Sequence, residues 1–428
     1  MITRLEIDGF KSLRDFAVDL EPFTVFIGPN SAGKSNILEA LALLSRLASQ
    51  PIADAFKHGR GRPSDQFSHN GDDSVRIIRF AVEFLDYGYF RPDVGCIPGA
   101  QSRCRYELTI ARESLASGAE RLLVRDERFA AIHSERDTWI ANHPEFADVS
   151  TYGRAEAQVY DALAQSGTSL HIGLMQWTPA EAKPCRQNLA MISALRLDGA
   201  RLGEPSDPID SDSLNADGSN LPSILAGLPP VLLGEIRADL VRLVPGIASF
   251  DVIPDNDELR LEFHLSGGQK MPARLVSDGT LRVLGLLTAL RLDPRPYLLT
   301  VEEPENGIYP GRLRALLRLL QEETARRHDG PDDVERMNEM LRDGGSIGIF
   351  SNLLPTQILV TTHSPVLLSA LHKQPQHLRF VDTVRRDGRP VTRVRTVGRP
   401  ATPAEGRFKI SPREIEQLLD STRDEETE

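Results

Sequence analysis

The chain has 428 residues, 40% hydrophobic and 26% charged, an ordinary balance for a globular protein. At about 150 residues per domain it has room for roughly two to three cores, or for one large α/β domain with insertions. No apolar run approaches the ~20 residues of a membrane span, and a net charge of −11 argues against a globally basic nucleic-acid binder without excluding a local basic surface.

The N-terminus alternates like a strand and lacks the basic-then-apolar pattern of a secretion signal, so a cytoplasmic protein is expected. A first strand, the corner Gly9-Phe10-Lys11-Ser12 and a second strand lead to the apolar run "FTVFI". Directly after it, "GPNSAGKS" fits G-x-x-x-x-G-K-S over Gly28, Pro29, Asn30, Ser31, Ala32, Gly33, Lys34 and Ser35, and "NILEALALLSRLA", opened by Asn36, has helical apolar spacing. Strand, glycine-rich loop and helix in that order make a phosphate-binding loop. Its backbone N–H groups and the helix N-terminus face the phosphates of ATP, Lys34 reaches the β- and γ-phosphates, and the Ser35 hydroxyl ligates Mg²⁺.

Residues 75–85 and 103–110 read as antiparallel strands of an N-terminal lobe spanning 1–117. From 118 to 190 periodicity weakens, and charged pieces such as "RFAAIHSERDTWIANHPEF" and "RAEAQVYDALAQ" predict an inserted helical subdomain without a long heptad array. The three cysteines Cys96, Cys104 and Cys185 form no CxxC pair and are expected as reduced thiols. Gln66 and Gln101 are the weak candidates for a nucleotide-facing glutamine.

A C-terminal lobe, 191–400, carries the remaining chemistry. Leu265-Ser266-Gly267-Gly268-Gln269 spells the signature of ATP-binding-cassette proteins, but "ELRLEFHL" before it alternates as a strand and "KMPARLV" after it suits a returning strand, which predicts a hairpin turn. A working signature needs a helix start. Ser277, Asp278 and Gly279 meet that condition, because "LRVLGLLTALRL" follows with helical spacing and Ser277 or Asp278 can cap it. Ser277 also lies 25 residues before Glu302, against 36 for Ser266, where signature helix, loop and next strand need about two dozen residues.

That next strand, 297–301, ends in Glu302 and Glu303, the place where an open α/β sheet binds ligands. Glu302 is assigned to Mg²⁺ and Glu303 to the attacking water. The strand in "QILVTTHSP" then delivers His363 before a new helix. The Arg-rich stretches "VRRDGRP" and "RVRTVGRP" read as a solvated strand edge, with a local basic surface as the alternative, and 401–428 reads as a C-terminal tail ending in acidic "STRDEETE".

The GFKS corner, the loop GPNSAGKSN, the carboxylates EEPE, and the segments "DGSNL" and "SDGTLR" together resemble the RecF, SMC and OLD group of ABC-type ATPases, over about residues 1–110 and 190–370. Tyr309 departs from that group, whose members often carry His there. The resemblance implies an ABC-type P-loop ATPase head of α/β class, with a mixed sheet, an antiparallel β lobe and the helical insertion. It places Lys11 or Ser12 near the nucleotide, where the residues alone suggest only a turn, and makes His363 the switch histidine that contacts the γ-phosphate. It further implies an ATP-driven homodimer in which each phosphate loop faces the other chain's Ser277 region. Such a switch would serve bacterial defence or genome maintenance, with a separately encoded effector as partner; the alternative is a RecF-like DNA-binding repair ATPase. OLD proteins carry a metal-binding Toprim domain after the histidine, and the 65 residues that follow His363 hold no convincing acidic constellation, so nuclease chemistry is not expected in this chain.

Overall fold

A computed structural model of the protein describes residues 1–70, 73–91, 95–132, 137–143, 160–161, 183–209, 213–292, 295–306, 308–325, 355–386, 388–398 and 409–417. Its centre is a seven-stranded mixed sheet in the order Ile192–Leu195, Leu298–Glu302, Gln357–Thr362, Phe23–Ile27, Leu378–Arg386, Arg389–Val397, Lys409–Ile410. The first five strands run parallel, and Arg389–Val397 returns antiparallel. Phe23–Ile27 and Gln357–Thr362 are buried at every position, as strands covered on both faces must be.

The two faces sort their side chains by the period-two rule. Val25, Ile27, Leu299, Val301, Ile358 and Val360 enter one core with the helices Asp278–Leu290, Pro310–Ala325 and Pro365–Leu371. Phe26, Leu298 and Leu359 enter the other core, shared with the helix Lys34–Ser49 and the antiparallel sheet. That second sheet has the order Phe16–Asp19, Ile2–Asp8, Ile77–Arg91, Gly95–Ser114, Glu120–Ala131, Tyr160–Asp161. The two strands expected around 75–85 and 103–110 are therefore present and paired antiparallel.

The expected helical insertion needs correcting at its start. Residues Glu120–Ala131 form a strand paired with Gly95–Ser114, and Tyr160–Asp161 pair with Phe129 and Arg128 as the last strand. The alternation was masked by Glu127, a carboxylate that is fully buried because its Oε1 accepts a 2.7 Å hydrogen bond from the Tyr106 hydroxyl. Thr138–Asn142 and Lys183–Ala190 are helical. The rest of the stretch 144–182 lies outside the described residues. At the other end, Lys409–Ile410 extends the central sheet and Ile415 is buried, so the part of the 401–428 tail at 409–417 packs on the fold; "STRDEETE" lies outside the described residues.

The spelled signature is a turn. Strands Ile247–Asp255, Glu258–Leu265 and Lys270–Pro272 form a separate three-stranded sheet, and Ser266 to Gly268 join the last two. Leu265 donates its amide to the Gln269 carbonyl at 2.8 Å, and Gly268, with φ +82°, takes the left-handed position that closes a three-residue hairpin. Gly267 faces open space and has no such constraint. Gly267→Ala should therefore change stability by under about 0.5 kcal/mol, whereas Gly268→Val forces a β-branched residue into the left-handed region and should cost about 1–2 kcal/mol, both read by denaturant unfolding.

Candidate functional site

The parallel register sets three strand ends flush. Glu302 lies opposite Thr361, and Thr361 and Thr362 lie opposite Phe26 and Ile27, so the carboxylates, His363 and the phosphate-binding loop all leave the sheet along one edge. The amides of Gly28 and Glu303 donate to the carbonyls of Thr362 and Thr361, which tie these exits to the central strand.

The loop is held from behind as well. A Cβ on Gly28 would lie 2.0 Å from the Val381 carbonyl oxygen, and one on Gly33, whose φ is +96°, would lie 1.9 Å from Thr392 Oγ1, so glycine is required at both places by the strands behind them. A relay of hydroxyls fixes the loop: Asn36 Nδ2 donates to Ser12 Oγ (2.7 Å), Ser12 Oγ lies 2.6 Å from Thr392 Oγ1, and Thr392 Oγ1 donates to the Ala32 carbonyl (3.1 Å). Ser12 thus buttresses the loop, while the Lys11 ammonium pairs with the buried Glu39 at 2.6 Å. Pro29 is half-buried, and Asn30 and Ser31 are exposed at the loop's tip, Ser31 with φ +60°. Gln66 is buried and its amide donates to the Phe56 carbonyl; the side chain of Gln101 lies outside what is described.

Lys34 is 6% exposed, and its Nζ donates to the carbonyls of Gly28 and Pro29 at 2.8 Å each. Burial pushes its pKa below the usual lysine value, and the charges of Glu303, Glu305 and Glu302 oppose that shift. All three carboxylates therefore lie within electrostatic reach of the Lys34 ammonium.

Glu303 turns the chain with φ +44°, a left-handed conformation rare for a side chain of its length, and Asn306 Nδ2 holds its Oε2 at 2.8 Å. Its Oε1 lies 3.2 Å from His363 Nδ1. Glu302 lies 3.3 Å from Arg60 and 3.5 Å from Arg196. Glu305 accepts from the Thr362 hydroxyl and from the His363 amide, and burial raises its pKa. Sequence reasoning assigned no role to Arg60, Arg196, Glu305 or Thr392. Glu305 stood inside the quoted EEPE, but the others come from loops and a hairpin whose approach only the fold reveals.

Gly28 to Asn36, Glu302, Glu303 and His363 thus come together. Ser277 caps the helix Asp278–Leu290 by accepting from the Thr280 amide, with Asp278 and Gly279 in its first turn. Among the described residues these three make no hydrogen bond to the loop or the carboxylates. Between that helix and Glu302 and Glu303, a cavity with room for about 30 Å³ is lined by Leu195, Leu197, Val283 and Leu286, space for water and far too little for a nucleotide. No group of three or more His, Cys, Asp or Glu among the described residues is arranged to hold a metal. The hard oxygens of Ser35 and Glu302 suit a Mg²⁺ whose other ligands are phosphates and water.

Two family models match the chain in separate regions. A family model described as "AAA ATPase domain" matches residues 1–149, which hold the loop, and one described as "AAA domain, putative AbiEii toxin, Type IV TA system" matches residues 202–369, which hold Ser277, the carboxylates and His363. The chain is 28% identical over 174 residues to the DNA replication and repair protein RecF of Corynebacterium jeikeium, 40% of each chain, and 33% identical over 84 residues to the OLD nuclease of Thermus scotoductus, 20% of this chain and 14% of that one. The chain carries AAA-type ATPase domains with homology to RecF and OLD nuclease, consistent with the RecF/SMC/OLD-like group. It spans well under half the length of these two relatives. Among solved structures, an SMC head bound to the C-winged helix domain of ScpA is similar at TM-score 0.47 and 14% identity, covering 92% of this chain and 98% of that one. No helix among the described residues of the chain is long and apolar enough to cross a membrane.

The hydroxyl relay makes a prediction. Thr392→Val keeps the shape of the side chain but removes the donor to Ala32 and the partner of Ser12, and should lower stability by about 1–2 kcal/mol in denaturant unfolding. Arg386→Ala, at the exposed hairpin tip, should change it by under about 0.5 kcal/mol.

Proposed function

We propose that this ATPase binds and hydrolyses ATP with Mg²⁺ as one half of a dimeric switch. The observation that carries the reading is the convergence of Lys34, Glu302, Glu303 and His363 on one sheet edge. Lys34 exchanges its two loop carbonyls for the β- and γ-phosphates, and the backbone N–H groups from Gly28 to Ser35 orient them. Ser35 and Glu302 would hold Mg²⁺, which would neutralise phosphate charge. Glu303 accepts the proton of the attacking water as its oxygen bonds to the γ-phosphorus and the bond to the β-phosphate oxygen breaks. His363, beside Glu303, contacts the γ-phosphate and reports its presence.

A single chain supplies only one wall of this site. Ser277 starts a helix without bonding to its own loop, as expected of a signature that faces the nucleotide of a second copy. Leu275, 64% exposed two residues before Ser277, and Tyr309, 77% exposed after the carboxylates, are apolar surfaces that a second head would cover. ATP then closes the dimer and hydrolysis opens it. A switch of this kind suits genome maintenance or bacterial defence, with a separate effector carrying any nuclease or toxin chemistry.

Lys34→Ala should abolish ATP binding in calorimetry while the far-UV spectrum is retained. Glu303→Gln should still bind ATP and dimerise in light scattering, yet turn over at least about 10²-fold more slowly; turnover at the wild-type rate would move the base elsewhere.

Ser277→Arg should bind ATP but not hydrolyse it. Mixed with Lys34→Ala it should regain partial activity, because one composite site in the mixed dimer has both an intact loop and an intact signature. No recovery in a demonstrated mixed dimer would overturn the two-chain site.

A further inference from the structure

Of the three carboxylates near Lys34, hydrolysis as described uses Glu302 and Glu303 and gives Glu305 no task. Glu305 is nonetheless the most enclosed of them, its side chain 11% exposed against 18% for Glu302 and 33% for Glu303. Its Oε1 gathers three groups of the histidine corner: the Thr362 hydroxyl, the His363 amide at 3.3 Å, and His363 Nδ1 at 3.8 Å. Thr362 passes the connection on, because its Oγ1 also accepts the Ser364 amide at 2.9 Å, at the start of the helix Pro365–Leu371. One carboxylate oxygen therefore holds the whole turn from strand to helix.

The other oxygen tells against a role as base or ligand in this arrangement. Oε2 is buried and without a hydrogen-bond partner, a costly state for an ionised oxygen, and burial favours the neutral acid. What the corner takes from Glu305 is the acceptor at Oε1.

We infer that Glu305 is a positioning residue whose Oε1, through Thr362 and the His363 amide, fixes the corner that aims the His363 ring at Glu303. The inference rests on His363 belonging to the ATPase site. Its first readout is independent of hydrolysis.

The test compares wild type, Glu305→Gln, Glu305→Ala and Thr362→Val in two measurements: the imidazole NMR resonances of His363 without nucleotide, and steady-state ATPase kinetics. Gln retains the acceptor and carries no charge, so it serves as the conservative rescue. Glu305→Ala and Thr362→Val should both move the His363 resonances and lower kcat by about tenfold or more, with KM within about twofold. Glu305→Gln should restore the resonance positions and recover most of the rate lost in Glu305→Ala. Two results would overturn the inference: His363 resonances unmoved in Glu305→Ala and Thr362→Val, or Glu305→Gln as inactive as Glu303→Gln with His363 unmoved, which would make the carboxylate charge itself the active feature. Should Glu305→Ala fail to fold, Thr362→Val and Glu305→Gln decide it. Should the wild type prove not to hydrolyse ATP, the ATPase reading fails, while the resonances still decide whether Glu305 sets the ring.

Discussion

A lysine ammonium enclosed by its own loop is the constraint on which the site depends. Lys34 is nearly buried, and a cation so placed loses several kcal/mol of hydration unless oxygens replace the water. Two backbone carbonyls do so directly, and the nearby carboxylates of Glu303 and Glu302 supply opposing charge. Each requirement reaches back into the fold. The carbonyls of Gly28 and Pro29 face the lysine because the loop curls over its own helix, and the carboxylates stand nearby because parallel strands end flush with the loop strand.

The ion pairs at Glu302 are of another order. Arg60 and Arg196 are 47% and 44% exposed, and their contacts of 3.3 and 3.5 Å put them in the range of surface pairs worth at most about 1 kcal/mol. Such pairs give way readily to a divalent cation and phosphates. The two arginines then remain on the rim, where a growing negative charge would find them. Glu302 can thus be neutralised in the free chain without being committed to its partners.

Much of the site was legible because its parts are local. The phosphate-binding loop, the carboxylate strand and the histidine strand are each a short apolar run followed by polar residues, and a buried parallel strand leaves that mark whatever surrounds it. Reading the spelled Ser266 segment as a turn needed only the alternation of "ELRLEFHL", which the hairpin matches. Legibility failed where a polar residue is buried by a distant partner. Glu127 made a strand look like part of a solvated helix, and nothing near it in sequence announces Tyr106. Arg60, Arg196 and Thr392 were missed for a related reason, because each approaches the site from a loop or hairpin remote in sequence from its partner.

Thr392 carries the argument furthest. The matched family regions, 1–149 and 202–369, end before the hairpin formed by Leu378–Arg386 and Arg389–Val397. That hairpin nevertheless shapes the phosphate-binding loop from behind, through the Val381 carbonyl against Gly28 and through Thr392 against Gly33, Ser12 and Ala32. The glycines that a phosphate-binding motif needs for its ligand are here also needed for its backing, since a Cβ at either one would strike the strand behind before any phosphate arrived.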